Sequence, residues 1–264
     1  ATPGFRPRIE KDAAVEPLPA GHELPPADIV ITDPMQSGRG ATRGGGTGAV
    51  SDLVEPGPHG PLPRIGSGGE TPSQAYAVPP DPGAQGLPRI ALVVGGMGLS
   101  SSATERAIAE LPSAVTLAFA PYGRDVARLA ELARAEGHEI MLQVPMEPYD
   151  FPDNDPGPQT LLTSLGDEQN LDRLHWSMGR FGGYVGVTNY MGARYTAMEE
   201  KMRPFLDQLK KRGLIYVEDG ASQRSLAPQI ARDIRLRSRV ADGVVDLTPE
   251  REAILASLAE LEAA

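Results

Sequence analysis

The sequence predicts an α/β protein in which mostly parallel strands are joined by right-handed helical crossovers. Three observations carry the prediction. From residue 88 onward, short apolar runs rich in β-branched residues alternate with longer segments whose apolar residues recur at helical spacing. The runs are nearly continuous in apolar character, as strands covered on both faces are. Ahead of them, 15 of the 30 glycines and 16 of the 26 prolines fall within residues 1–88, a density typical of low-complexity chain.

The elements follow in order. "RIALVV" (89–94) is too short for a buried helix and reads as the first strand. Ser102 to Glu105 in "SATE" have capping-box spacing ahead of "RAIAEL", so a helix follows. "VTLAFA" (115–120) is the second strand, and "RDVARLAELARAEG" is a helix stopped by Gly137. "EIMLQV" from Glu139 is the third strand, "DEQNLDRLHWSMGRF" a helix and "YVGV" from Tyr184 the fourth strand. "TAMEEKMRPFLDQLKKRG" is a helix with a proline, Pro204, inside it, and "LIYVED" is the fifth strand. "SLAPQIARDI", "VADGVVDL" and "TPEREAILASLAELEAA" complete the chain, the last an apolar helix expected to cover the sheet.

Residues 1–87 read as an extended, largely irregular linker, with one apolar patch at Ile29 to Ile31, and residues 88–264 as the folded domain. The absence of cysteine excludes a disulfide framework and thiolate metal sites. A formal net charge of -10 argues against a nucleic-acid partner, which needs a positive surface. No run of 18 apolar residues exists. A Pro-rich tail suits a tether, so membrane association is expected only through an N-terminal anchor or signal preceding this sequence.

Parallel α/β architectures put their sites in loops after the C-terminal ends of the strands. Those loops are "GGMG", "APYGRD", "PMEPYDFPDNDPGP", "TNYMGARYT" and "EDGASQRS". Together with their strands, in the series "LPSAVTLAFAP", "AEGHEIMLQVPMEP", "DPGPQTLL", "GYVGVTNYMGARYT" and "RGLIYVEDGASQRSLA", they resemble the divergent polysaccharide deacetylases, relatives of the NodB-type carbohydrate esterases. The resemblance spans residues 88 to about 247, in order and at family spacing. It implies a NodB-like, barrel-like and often incomplete (β/α) fold, a periplasmic or cell-envelope location, and a glycan or another envelope component as the partner.

The resemblance also implies an Asp-Asp pair after the first strand and Asn-His after the fourth, where this chain has Gly95-Gly96 and Asn189-Tyr190. In a metal-dependent deacetylase the cation polarises the acetyl carbonyl, a carboxylate takes a proton from water, and imidazoles complete the coordination. Glycine supplies neither carboxylate nor ligand, and a phenol of ordinary pKa near 10 is a weak ligand at neutral pH. No cofactor is therefore expected, and a divalent metal enters only through a rebuilt site. "GGMG" lacks the lysine of a phosphate loop; it either lets backbone N–H groups approach an anion or merely makes a tight turn.

Among the remaining polar residues, Glu147 in "PMEP", Glu218 and Asp219 are candidates for catalysis. Glu147 could equally accept backbone hydrogen bonds, and neighbouring Glu218 and Asp219 would point to opposite faces of a strand. The resemblance matches Glu218 to a family aspartate. Asn189, Tyr190, Arg194, Gly95 and Gly96 are candidates for binding substrate, with loop scaffolding and an Arg194 ion pair as the plainer alternative. Arg224 and Ser225 cap the next helix. His138 opens a strand and reads as structural, His175 as a packing residue, and His22 and His59 fall in the linker. Asp150, Asp153 and Asp155 offer oxygen donors of the kind Ca²⁺ takes, without EF-hand spacing.

Overall fold

The structure, a computed structural model, describes residues 50–80, 83, 86–220 and 222–263. Six parallel strands form one sheet in chain order: β3 (Val93–Met97), β4 (Thr116–Phe119), β5 (Ile140–Met146), β6 (Gly186–Met191), β7 (Ile215–Glu218) and β8 (Ser238–Val240). Between them run α2 (Ser101–Glu110), α3 (Val126–Ala135), α4 (Asp167–Met178), α5 (Glu199–Lys211) and α6 (Ala227–Asp233), and α7 (Arg251–Ala263) ends the chain. Each crossover steps one strand in the same direction, so the helices collect on one face. Among the described residues β3 and β8 are not paired, which leaves an incomplete NodB-like (β/α) barrel.

Register fixes what each face presents. Phe119, Leu142, Val187 and Tyr216 lie in one row and join the large core beneath the helices with Leu129, Phe205 and Leu209. Ala118, Met141, Gly186 and Ile215 form a row on the opposite, inner face, and Gln143, Thr188, Val217 and Arg239 form the next inner row toward the strand ends. Full burial of a Leu- or Phe-sized side chain contributes about 1.5–3 kcal/mol, so the helix-side row dominates the domain's stability.

The elements depart from expectation in instructive ways. α2 begins two residues earlier than the "SATE" pattern suggests, because the Ser100 hydroxyl accepts from the Ala103 N–H. β3 starts at Val93 and carries Gly95 and Gly96 inside it, while β6 runs through Asn189 and Tyr190; both pairs were expected in loops. α7 buries no residue, so it does not cover the sheet as expected.

The largest departure concerns the segment read as linker. Residues 1–49, including Ile29 to Ile31 and His22, lie outside the described residues. Residues 50–76 are ordered: β1 (Val54–Gly57) pairs antiparallel with β2 (Gly60–Pro63), and α1 (Pro72–Ala75) follows. Leu53 and Tyr76 are buried against Ala118, Met141 and Val185, closing the inner face at the end where the strands begin. The pairing was invisible because prolines and glycines fill the strands, leaving no apolar period; tertiary anchors supply the order. Buried Arg212, just before β7, donates from Nη1 to Glu55 Oε1 (2.9 Å) and to the Pro63 carbonyl (2.8 Å). Arg134 donates to the Tyr76 carbonyl (2.8 Å), and His59 in the hairpin turn pairs with Asp172 of α4 at 2.7 Å. His138 is structural as expected, its ring nitrogens bonded to the Val115 and Ile108 carbonyls.

Candidate functional site

The first strand end is shaped by glycine and glutamine. Gly96 stands at φ +73°, a left-handed conformation that costs other residues about 1–2 kcal/mol, and the β3–β4 register breaks there. The bulge turns the Gly96 N–H toward β5, where it donates to Gln143 Oε1 at 2.9 Å. A Cβ at Gly95 would lie 2.8 Å from Gln143 Nε2. The Gln143 amide thus fills the space a side chain at 95 would enter, and a neutral donor and acceptor replaces the carboxylates that the resemblance implies.

At the next loop, Glu147 is 4 % exposed and fully engaged. Its Oε1 pairs with Arg194 Nη1 at 3.0 Å, and its Oε2 accepts the Thr163 N–H. Its backbone N–H donates to the Leu161 carbonyl, and its carbonyl accepts from the Arg194 and Tyr195 N–H groups. Glu147 therefore ties the loop after β5 to the segment around 161–163 and to the loop after β6. The same contacts consume one end of Arg194. This is the backbone-accepting alternative considered for Glu147, and the ion-pair alternative for Arg194.

Asn189 is buried on the helix side, in the outer row. Its Nδ2 donates to the Met191 carbonyl at 2.7 Å, and its Oδ1 accepts from the Tyr216 hydroxyl (3.2 Å) and the Asp219 N–H (3.1 Å). Burial raises the Tyr216 pKa far above the ordinary phenol value, keeping it the protonated donor this bond requires. Asn189 positions the β6 and β7 ends and does not face the cleft. Its neighbour Tyr190 does, 43 % exposed on the inner face beside Pro145.

Glu218 shares the outer face with Tyr216, which packs edge-on against Phe205 of α5. It is 2 % exposed, and neither carboxylate oxygen has a hydrogen-bond partner among the described residues. Burial raises its pKa, the nearby Ser225 hydroxyl lowers it in part, and the charge of Asp219 raises it further. The neutral acid is the form this environment favours. Asp219 follows the end of β7, where its N–H is held by Asn189. The N-cap of α6 is Leu226, and Ser225, one residue earlier, accepts the Ala227 N–H of the first turn.

The site residues thus separate into two sets. Gly95, Gly96 and Tyr190 border the inner cleft, while Glu147, Asn189 and Glu218 serve the loops and the helix layer. Sequence reasoning overlooked Gln143, Thr188 and Arg239, which share the inner row directly below Pro145 and Tyr190. Polar residues inside otherwise apolar strands, the Gln of "IMLQV" and the Thr of "VGVTN", were the available signal.

A divalent cation needs convergent oxygen or nitrogen donors. Glu147 is committed to an ion pair, Asn189 is spent on β6 and β7, and the space at Gly95 holds an amide. Among the described residues no three His, Asp or Glu side chains are grouped to hold a metal. The aspartates considered for calcium do not gather either; Asp155 instead accepts the Gly157 N–H. The residues present do not fit the metal that the resemblance implies.

Comparison with known proteins agrees with the architecture. The crystal structure of the uncharacterized protein ATU2773 from Agrobacterium tumefaciens C58 superposes with a TM-score of 0.75 at 43% identity, covering 77% of this chain and 82% of that one. An uncharacterized protein of Haemophilus influenzae is 26% identical over 153 residues, 57% of this chain and 52% of its own length. The uncharacterized protein YibQ of Escherichia coli is 24% identical over 131 residues, 49% of this chain and 40% of its own length. The chain thus spans about half or less of the curated relatives it matches. The profile of the divergent polysaccharide deacetylases matches residues 92–264, and with that sheet order and that cleft the chain belongs to the divergent polysaccharide deacetylase family.

Proposed function

We propose that this protein acts in the cell envelope, in the periplasm, and binds a glycan in the cleft at the strand ends without hydrolysing it. The observation that carries the reading is the Gln143 amide lodged over Gly95 and bonded to the Gly96 N–H, where a hydrolase of this kind would keep its carboxylates. Along the same inner face, the Thr188 hydroxyl, the Tyr190 phenol and the Arg239 guanidinium supply hydrogen-bonding groups suited to sugar hydroxyls and acetamido groups. Exposed Tyr190 adds an apolar ring face with a polar tip, the kind of surface on which a sugar ring stacks.

The test is calorimetric titration of the full chain with N-acetylated amino-sugar oligomers, alongside an acetate-release assay with and without Zn²⁺. Saturable binding that weakens about tenfold in both Gln143→Ala and Tyr190→Ala, with no acetate released, is expected; one lost hydrogen bond or stacking contact accounts for a factor of that size. Acetate release abolished by Glu218→Ala or Glu147→Ala would replace this reading with an active deacetylase built on a reconstituted metal site.

A further inference from the structure

One stretch of the chain carries the reverse of its overall charge. Residues 201–239 contain ten Lys or Arg against four Asp or Glu, a formal +6, leaving -16 for the rest of a chain whose total is -10. Much of that excess sits on two adjacent turns where β7 and β8 begin. Lys210 and Lys211 close α5, Arg232 lies in the last turn of α6, and Arg235 and Arg237 lead into β8; all five are exposed. The turns are joined, since Lys210 Nζ donates to the Ile234 carbonyl and the Arg237 carbonyl accepts the Tyr216 N–H. None of the five forms a salt bridge among the described residues, and Asp233, the acid nearest them in sequence, is drawn toward Arg203 at 4.0 Å.

Two features set this group apart from an ordinary solvated surface. Arg235 stands at φ +58°, where glycine would be free of strain, so a guanidinium is displayed at a cost of about 1 kcal/mol or more. Arg212, the cation next to Lys211, is buried and fastened to the hairpin, so the patch lies on a rigid, braced end.

We propose that this end docks on a surface of anionic lipid headgroups. Guanidinium forks pair with phosphate oxygens, and several cations spread over two turns act additively on an extended negative surface, each contributing about 1 kcal/mol close to it. Docked this way, the domain presents its strand-end cleft away from the lipid. The overall negative charge disfavours a duplex nucleic acid, which would meet the remaining -16. The proposal stands independently of what the cleft binds.

The experiment is co-sedimentation of the full chain with vesicles of phosphatidylcholine alone and of phosphatidylcholine with about 30% phosphatidylglycerol. Binding is expected only to the anionic vesicles, and it is expected to fall steeply between about 0.05 M and about 0.5 M salt as screening shortens. The triple variant Lys211→Gln, Arg235→Gly, Arg237→Gln should lose about 100-fold in affinity, while Arg106→Gln with Arg124→Gln, exposed on other elements, should bind as the parent does. Thermal melting of each variant verifies folding, and inorganic phosphate tests the free anion. Equal binding to neutral vesicles, binding unchanged in the triple variant, or binding abolished by low inorganic phosphate would overturn the proposal. So would equal capture by a soluble polyanion, which would point to an anionic polymer in place of a lipid surface.

Discussion

Glu147 and Glu218 stand at the ends of β5 and β7, on either side of β6, and both are almost wholly buried, yet their surroundings are opposite. Glu147 has a guanidinium on one oxygen and a backbone N–H on the other. Glu218 has no hydrogen bond on either, and burial drives it toward the neutral acid. A carboxylate at a strand end is thus no sign of catalysis in itself. The first holds three pieces of chain together, and the second sits where burial raises its pKa.

Substitutions should separate the two. Glu147→Ala removes a buried acceptor that both Arg194 and the Thr163 N–H use, and it should lower stability by about 2 kcal/mol, a few degrees in melting temperature; Glu147→Gln should recover part of this. Hydrogen exchange at the Leu161, Thr163 and Arg194 amides should quicken in the alanine variant. A melting temperature equal to the parent's would remove Glu147 from its role as the tie between loops.

Next in size is the bulge that faces the cleft. Gly96→Ala should cost about 1–2 kcal/mol from its φ of +73° alone. Gly95→Ala meets the far end of the flexible Gln143 side chain instead of backbone, so its cost should be smaller and largely relieved in combination with Gln143→Ala. Equal costs for the two glycines would contradict the division between a strained position and a crowded one.

The smallest effect is expected at Glu218, and its sign changes the comparison most. A raised folded-state pKa means that the unfolded chain loses its proton first, so stability from this group is fully present below about pH 4.5, the ordinary value, and is lost as pH rises through the raised pKa. Glu218→Gln should therefore flatten the pH dependence of stability and be equal to or more stable than the parent at pH 7 and above. Destabilisation by Gln at all pH values would show that the carboxylate is needed in its charged form.

Strand and helix periodicity made the parallel architecture legible, as apolar runs such as "IMLQV" and capped helices such as the one ending at Gly137 report local energetics directly. The family resemblance located the strand ends. What escaped was whatever depends on contacts distant in sequence. The hairpin at 54–63 has no apolar period and owes its order to Arg212, well over a hundred residues away. Gln143 became a cleft residue only once register set it beside Gly95. Asn189 and Tyr190, adjacent in one motif, went to opposite faces because β6 continues to Met191. The mixed fate of the candidate residues follows from that one-residue alternation.

The most direct measurement is calorimetric titration of the full chain with Zn²⁺, Mn²⁺, Ni²⁺ and Ca²⁺, repeated in Glu147→Ala and Glu218→Ala. With Glu147 bound to Arg194, Glu218 held on the helix side and an amide in the space at Gly95, no stoichiometric binding is predicted for any of the four. Stoichiometric binding in the parent that disappears in either variant would contradict the account, because it would require these carboxylates to leave their present partners and converge on one ion.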